Sequence, residues 1–241
     1  MKKVTKAVAA LMLMTAVVFA AGCKKPDESN NGGNNGGNGT YNNHDYVNLG
    51  LPSGTLWATC NVGADTPEGY GDYFAWGETQ PKDTYNWTTY RYCNGGEGWN
   101  TLTKYCNYSS YGYNGFTDNL TTLQSTDDAA TANWGSGWRM PTEEEWHELR
   151  NNTTSTWTTR NGVNGKLFTA SNGNKLFLPA AGFRWDDGIS NAGSYGFYWL
   201  SSLLTSNPNG AGDFYVCSDN ASENDYMQRC RGFSVRPVRE N

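Results

Sequence analysis

The sequence predicts an α+β domain of short twisted strands, two helices and many irregular loops. Three observations point there. Short alternating or β-branched runs recur through residues 44–241; Gly, Asn, Asp or Pro punctuates nearly all of them; and only two segments carry helical signals. The strand-like runs are 46–49, 55–62, 70–76, 166–169, 175–178, 213–217 and 232–238. Of the helical segments, 126–134 is short, Ala-rich and begins at Asp127-Asp128. The other, 142–150, is better marked. Thr142 and Glu145 stand three apart as a capping box, Glu143 and Glu144 suit the positive end of the helix dipole, and Trp146 and Leu149 share one face that should pack inward.

Two segments precede this domain. Lys2, Lys3 and Lys6 form a positive start, Ala7 to Ala20 carry no charge, and Ala20-Ala21-Gly22 lead into Cys23. An apolar run of about 14 residues is too short to span a hydrocarbon core of ~30 Å and fits a cleaved signal over 1–22. Residues 23–43 read as a tether, because from Asn30 to Gly39 the chain is only Asn and Gly and has nothing apolar to bury. Without residues 1–22 the chain carries 15 basic and 23 acidic residues, a formal charge of about −8. That balance disfavours nucleic acid as a partner and leaves sugars and proteins open.

Several words in order carry a resemblance. Ala20-Ala21-Gly22-Cys23 resembles the lipobox of bacterial lipoproteins, which implies that Cys23 is lipidated and anchors the chain to a membrane. Gly137-Trp138-Arg139-Met140-Pro141-Thr142-Glu143-Glu144-Glu145-Trp146 resembles the helix start of formylglycine-generating-enzyme-type domains, a branch of the C-type lectin fold. Gly54-Thr55-Leu56-Trp57-Ala58, Tyr73-Phe74-Ala75-Trp76-Gly77-Glu78, Leu178-Pro179-Ala180-Ala181-Gly182 and Tyr198-Trp199-Leu200-Ser201-Ser202 fall around it in the expected order. With Gly232-Phe233-Ser234-Val235-Arg236-Pro237-Val238, the series is similar to the Fibrobacter succinogenes major paralogous domain of Bacteroidota lipoproteins and covers nearly all of 46–238. The resemblance implies a C-type lectin-like domain over 44–241 in a lipoprotein; Lys24-Lys25, in place of the Asp that retains many lipoproteins at the inner membrane, points to the outer membrane, and Asp27-Glu28 close to the lipid fits display at the cell surface.

Residues 183–231 also resemble the segment that diversity-generating retroelements rewrite in their variable proteins. Glu223, Met227 and Gln228 depart from that pattern, so a diversified segment, a former target and an ordinary paralogue all account for it. Because this segment forms the ligand-facing surface in the fold, the resemblance places ligand contacts on Trp185, Asp186, Asp187, Tyr195, Phe197, Leu204, Asp213, Tyr215, Asp225, Tyr226 and Arg231. By the same token Trp57, Trp76, Trp138, Trp146, Tyr198 and Trp199, which sit in the repeated motifs, are expected in the core.

Catalytic readings find little to build on. The related oxidases use two cysteines a few residues apart near the C-terminus, whereas Cys217 and Cys230 are thirteen apart. Position 151 is Asn, so His147 lacks the second imidazole of a zinc-protease helix, and Ser190 lacks the strand and helix of a nucleophile elbow. Asp186-Asp187 after Trp185 matches only part of the Trp-Asn-Asp triplet of calcium-dependent lectins. No metal or other cofactor is therefore indicated, although backbone carbonyls could complete a structural calcium site. Pairings of Cys93 with Cys106 and of Cys217 with Cys230 stay open beside the reading as small buried thiols. The expected function is non-catalytic display of a lectin-like domain that binds a protein or glycan. Structural assembly into an envelope complex is the alternative, and a formylglycine-type oxidase a remote one. Loops rich in Tyr, Trp, Ser, Gly and Asn support binding, since such side chains give amphipathic contact area with little rotamer entropy to lose.

Overall fold

A computed structural model describes residues 37–95 and 98–241, with the backbone alone at Asn224 and Asp225. It is α+β: twelve strands in four open sheets and two α-helices among the described residues. The signal segment 1–22 and Cys23 lie outside the described residues. Strand β1 (Gly39–Tyr41) pairs with β2 (His44–Asn48) through a two-residue turn, so folded structure begins inside the segment expected as tether. Asn42 and Asn43 in that turn have φ of 49° and 64°, the positive values that two-residue hairpins require and Asn tolerates.

β2 continues to β3 (Leu56–Ala58) and then to β12 (Val238–Arg239), which brings the two ends of the domain into one sheet. Helix α1 spans Ala129–Trp134 and follows a 3-10 turn at Ser125–Asp127; Asp128 caps it by accepting from the Thr131 N–H. Helix α2 (Glu143–Asn151) starts with the capping box expected for Thr142 and Glu145, and Trp146 and Leu149 are fully buried. Its exposed face carries His147, 3.2 Å from the Glu223 carboxylate.

Two further sheets pack around these elements. One has the order β4 (Thr153–Arg160), β5 (Val163–Ala170), β6 (Lys175–Pro179), and the other β11 (Ala221–Gln228), β10 (Gly210–Val216), β9 (Gly196–Leu203). The sequence offers no strand run at β4 or β11, whose residues are mostly polar. They are edge strands held by the backbone ladder of a buried neighbour, so apolar alternation is not needed. Conversely, residues 70–76 form no strand. Their N–H groups bond singly, Phe74 to the Phe233 carbonyl and Trp76 to that of Arg229.

Strand β9 divides the interior. Side chains alternate across a strand, and Phe197, Trp199 and Leu203 face one core with Phe74, Trp76 and Phe233. Tyr198 and Leu200 face the other with Trp57, Trp146, Phe168 and Phe214. The Trp146 ring stacks on Phe214 at 4.3 Å. Trp57, Trp76, Trp138, Trp146, Tyr198 and Trp199 are all buried, as their motif positions imply. Two buried indole N–H groups find backbone partners, Trp76 at the Leu200 carbonyl (2.8 Å) and Trp199 at that of Phe74 (2.7 Å), which ties strand β9 to the irregular segment before it, whereas those of Trp57 and Trp146 have none among the described residues. No helix among the described residues is long and apolar enough to cross a membrane.

Candidate binding surface

The segment singled out in the sequence begins with a hairpin, β7 (Phe183–Trp185) and β8 (Gly188–Ser190), turned by Asp186-Asp187. Asp186 takes φ of 52°, which a short polar side chain tolerates, and its carboxylate accepts from the Asn86 amide at 2.8 Å. Arg184 reaches back to the carbonyls of Asp83 (3.0 Å) and Asp187 (2.9 Å), so the hairpin is pinned to residues 82–86. The base of the hairpin also closes tightly on itself. Gly182, at φ 66°, comes so near the Ser190 carbonyl that an added Cβ would lie 2.1 Å from its oxygen.

From this hairpin a band of rings runs onto the β9–β10 sheet. The Arg231 guanidinium sits 5.1 Å from the rings of both Trp185 and Phe183. Phe183 meets Phe197 edge-on at 5.4 Å; Phe197 lies parallel to Tyr195 at 5.8 Å and 6.5 Å from Tyr215. Tyr195 is exposed, Trp185, Tyr215 and Arg231 are half-buried, and Asn220 donates to the Tyr215 hydroxyl at 2.8 Å. The Arg231 Nε is buried with no hydrogen-bond partner among the described residues, and one Nη lies 3.7 Å from the Met227 sulfur.

Five of the expected contact residues thus fall together: Trp185, Tyr195, Phe197, Tyr215 and Arg231. Phe197 is buried, however, and supports the surface from beneath. Asp213 requires correction. It is completely buried opposite Trp199, because its strand position turns it to the inner face. Leu204 and Tyr226 pack instead around Gly210 at the far end of β10, away from the band. Asp186 and Asp187 are exposed at the hairpin turn, and the Asp225 side chain lies outside the described residues. Phe183, Met227 and Asn220 join the band without having been singled out. Phe183 and Met227 are apolar residues in a polar segment, a signal the sequence did carry.

The other features are held by structural contacts. A cleft of about 670 Å³ opens beside Trp138, Arg139 and Arg239. Three of its ionisable groups are engaged: Asp128 accepts from the N–H groups of Thr131 and Met140, Arg139 grips Glu145 with two bonds of 2.7 Å, and Arg239 lies over the rings of Tyr41 and Tyr46. Cys93, Cys106, Cys217 and Cys230 are free thiols, so neither pairing left open by the sequence is formed. Burial pushes the Cys230 thiol up to about 12 and raises those of Cys93 and Cys106, which leaves little thiolate at neutral pH. Among the described residues no group of three or more His, Cys, Asp or Glu could hold a metal ion. No family model, curated protein or solved structure matches the chain.

Proposed function

We propose that the chain is a non-catalytic envelope lipoprotein, anchored through Cys23, whose C-type lectin-like domain holds a protein or glycan ligand on the Trp185–Arg231–Tyr195–Tyr215 band. The observation that carries this reading is Arg231. Its guanidinium lies against the β7 rings of Trp185 and Phe183 with Nε unpaired among the described residues, and Tyr, Trp and Arg are the side chains that contribute most per residue to recognition. The strands beneath are paired and largely buried, so binding would order few groups. The order of motifs through 46–238 supports the lectin-like assignment, the lipobox-like words before Cys23 support the anchor, and Lys24-Lys25 and Asp27-Glu28 just after it support an outer-membrane, outward-facing location.

Full-length protein in detergent, screened on arrays of glycans and of secreted proteins, tests the placement. Tyr195→Ala, Tyr215→Ala and Arg231→Ala should each weaken capture about tenfold or more, which is ~1.4 kcal/mol, while the melting temperature stays within a few degrees. Undiminished capture by the triple variant would sink the assignment of this surface.

A further inference from the structure

Seven large apolar side chains are exposed among the described residues, and four of them, Trp99, Tyr108, Tyr113 and Phe116, fall within residues 99–116. Single exposed aromatics are ordinary; several gathered on one loop leave unfavourable apolar area in water and mark a contact surface. The half-buried Tyr111 joins Trp99 and Tyr108 into a row, with its ring centre 5.5 Å from that of Trp99 and 6.4 Å from that of Tyr108.

The loop under this row is fixed from below. Leu102 is fully buried and bridges to Cys93 and Gly112. Arg229, itself fully buried, donates to the carbonyls of Lys104 (2.6 Å), Tyr105 (2.7 Å) and Pro208 (3.0 Å). The Asp118 carboxylate accepts from the N–H groups of Tyr105 and Cys106, and the Asn107 amide donates to the Thr205 carbonyl. The rings are therefore presented on a preorganised base, and a ligand would spend little free energy ordering them.

The chemistry of the surroundings narrows the ligand. Between Trp99 and Phe116 the only charged side chain is Lys104, and its ammonium is held 2.5 Å from the Asp127 carboxylate. The exposed polar neighbours are Asn100, Ser109, Ser110 and Asn114, all neutral donors and acceptors. Nucleic acid also stacks on rings, but it requires free cations along its backbone, which this loop does not supply. An anionic sugar would need a fixed positive charge for the same reason. Protein hot spots combine aromatics with Arg at a desolvated centre, and the row contains no Arg. A pyranose instead offers apolar C–H faces to rings and neutral hydroxyls to amides and hydroxyls.

We propose that Trp99, Tyr108 and Tyr111 form a stacking platform for a neutral polysaccharide, with Asn100 and Asn114 placed to bond its hydroxyls. This surface shares no contact residue with the Trp185–Tyr195 band and does not rest on the function proposed there. Electrophoresis of the full-length protein in detergent, through gels cast with neutral β-glucan, xylan, galactomannan or α-glucan, tests it. At least one gel should retard the protein. Trp99→Ala and Tyr108→Ala should each weaken that retardation about tenfold, Trp99→Phe should retain most of it, and Tyr195→Ala should leave it unchanged. Far-ultraviolet circular dichroism and melting temperature, unaltered in these variants, would exclude unfolding as the cause. Retardation by none of the neutral gels, retardation only by anionic ones, or undiminished retardation of both alanine variants would each overturn the proposal.

Discussion

Thr142 does two jobs at the start of α2. Its hydroxyl accepts from the Glu145 N–H, and its own N–H donates to the Glu145 carboxylate at 2.9 Å. Glu145 also takes two bonds from Arg139 and one from the Thr55 hydroxyl, so one cap residue orders a junction between the helix, β3 and the segment before it. Thr142→Ala should cost about 1 kcal/mol, read as a lower urea midpoint with an unchanged slope. An unchanged midpoint would mean that water satisfies the freed Glu145 N–H equally well. This cap was legible in the sequence because it depends on residues three apart. Asp213 was not legible in the same way. Its type suits a surface, and only the register of β10 against β9 turns it inward beside Trp199.

The hairpin β7–β8 shows what an element adds. It is three residues per strand and could not hold its shape alone. Its position depends on Arg184, on the bridge between Arg184 and Gly232, and on the close approach of Gly182 to the backbone of 190–192. Gly182→Ala would put a Cβ into that contact at a positive φ, and should cost about 2 kcal/mol or more. Thermal denaturation checks the loss; a variant as stable as the parent would show that the hairpin can shift at no cost. Neither β7 nor β8 stands out in the sequence, since both are short and lack alternation. The edge strands β4 and β11 escaped for a related reason, being specified by their neighbours' backbone groups. Helix α2 and strands β2, β6 and β10 were legible, because cap chemistry and apolar alternation are local.

Across the whole molecule, buried carboxylates set how the fold meets acid. Burial pushes Glu145 upward, but the bonds from Arg139, the Thr142 N–H and Thr55 outweigh it, so its pKa lies below the ordinary 4.5. Asp127 behaves alike: burial raises it, and Lys104 and the Tyr105 hydroxyl bring it below 3.8. Both groups have folded pKa values below their unfolded ones. Their stabilisation is therefore present above the unfolded values and is lost as pH falls through the folded ones. Asp128 and Asp72 are raised by burial and act in the opposite sense, gaining as pH falls. Stability should hold down to about pH 4.5 and then fall, and Glu145→Gln should flatten that decline. Urea midpoints measured from pH 7 to 3 check this; an identical profile in the variant would remove Glu145 from the account. Because Asp127 also holds Lys104, its protonation would free a cation at the base of the 99–116 loop.

By itself the sequence determined the α+β class, the capping box of α2, the six buried aromatics of the family motifs and the stretch on which the aromatic band lies. The class and the cap follow from local chemistry, and the aromatics and the stretch from the ordered motifs that carry the resemblance. The tertiary structure alone decided which members of that stretch meet. Phe197, Trp199, Asp213 and Tyr215 share one face of the β9–β10 sheet: the register sets Asp213 opposite Trp199 in the buried interior and Tyr215 opposite Phe197 beside Tyr195, while Leu204 and Tyr226 lie at the far end of β10. It also decided that Trp99, Tyr108 and Tyr111 stand as a row, through a buried arginine more than a hundred residues away. Side-chain type and spacing do not encode register or long-range clamping. Those depend on contacts between residues far apart in sequence, which exist only once the chain has folded.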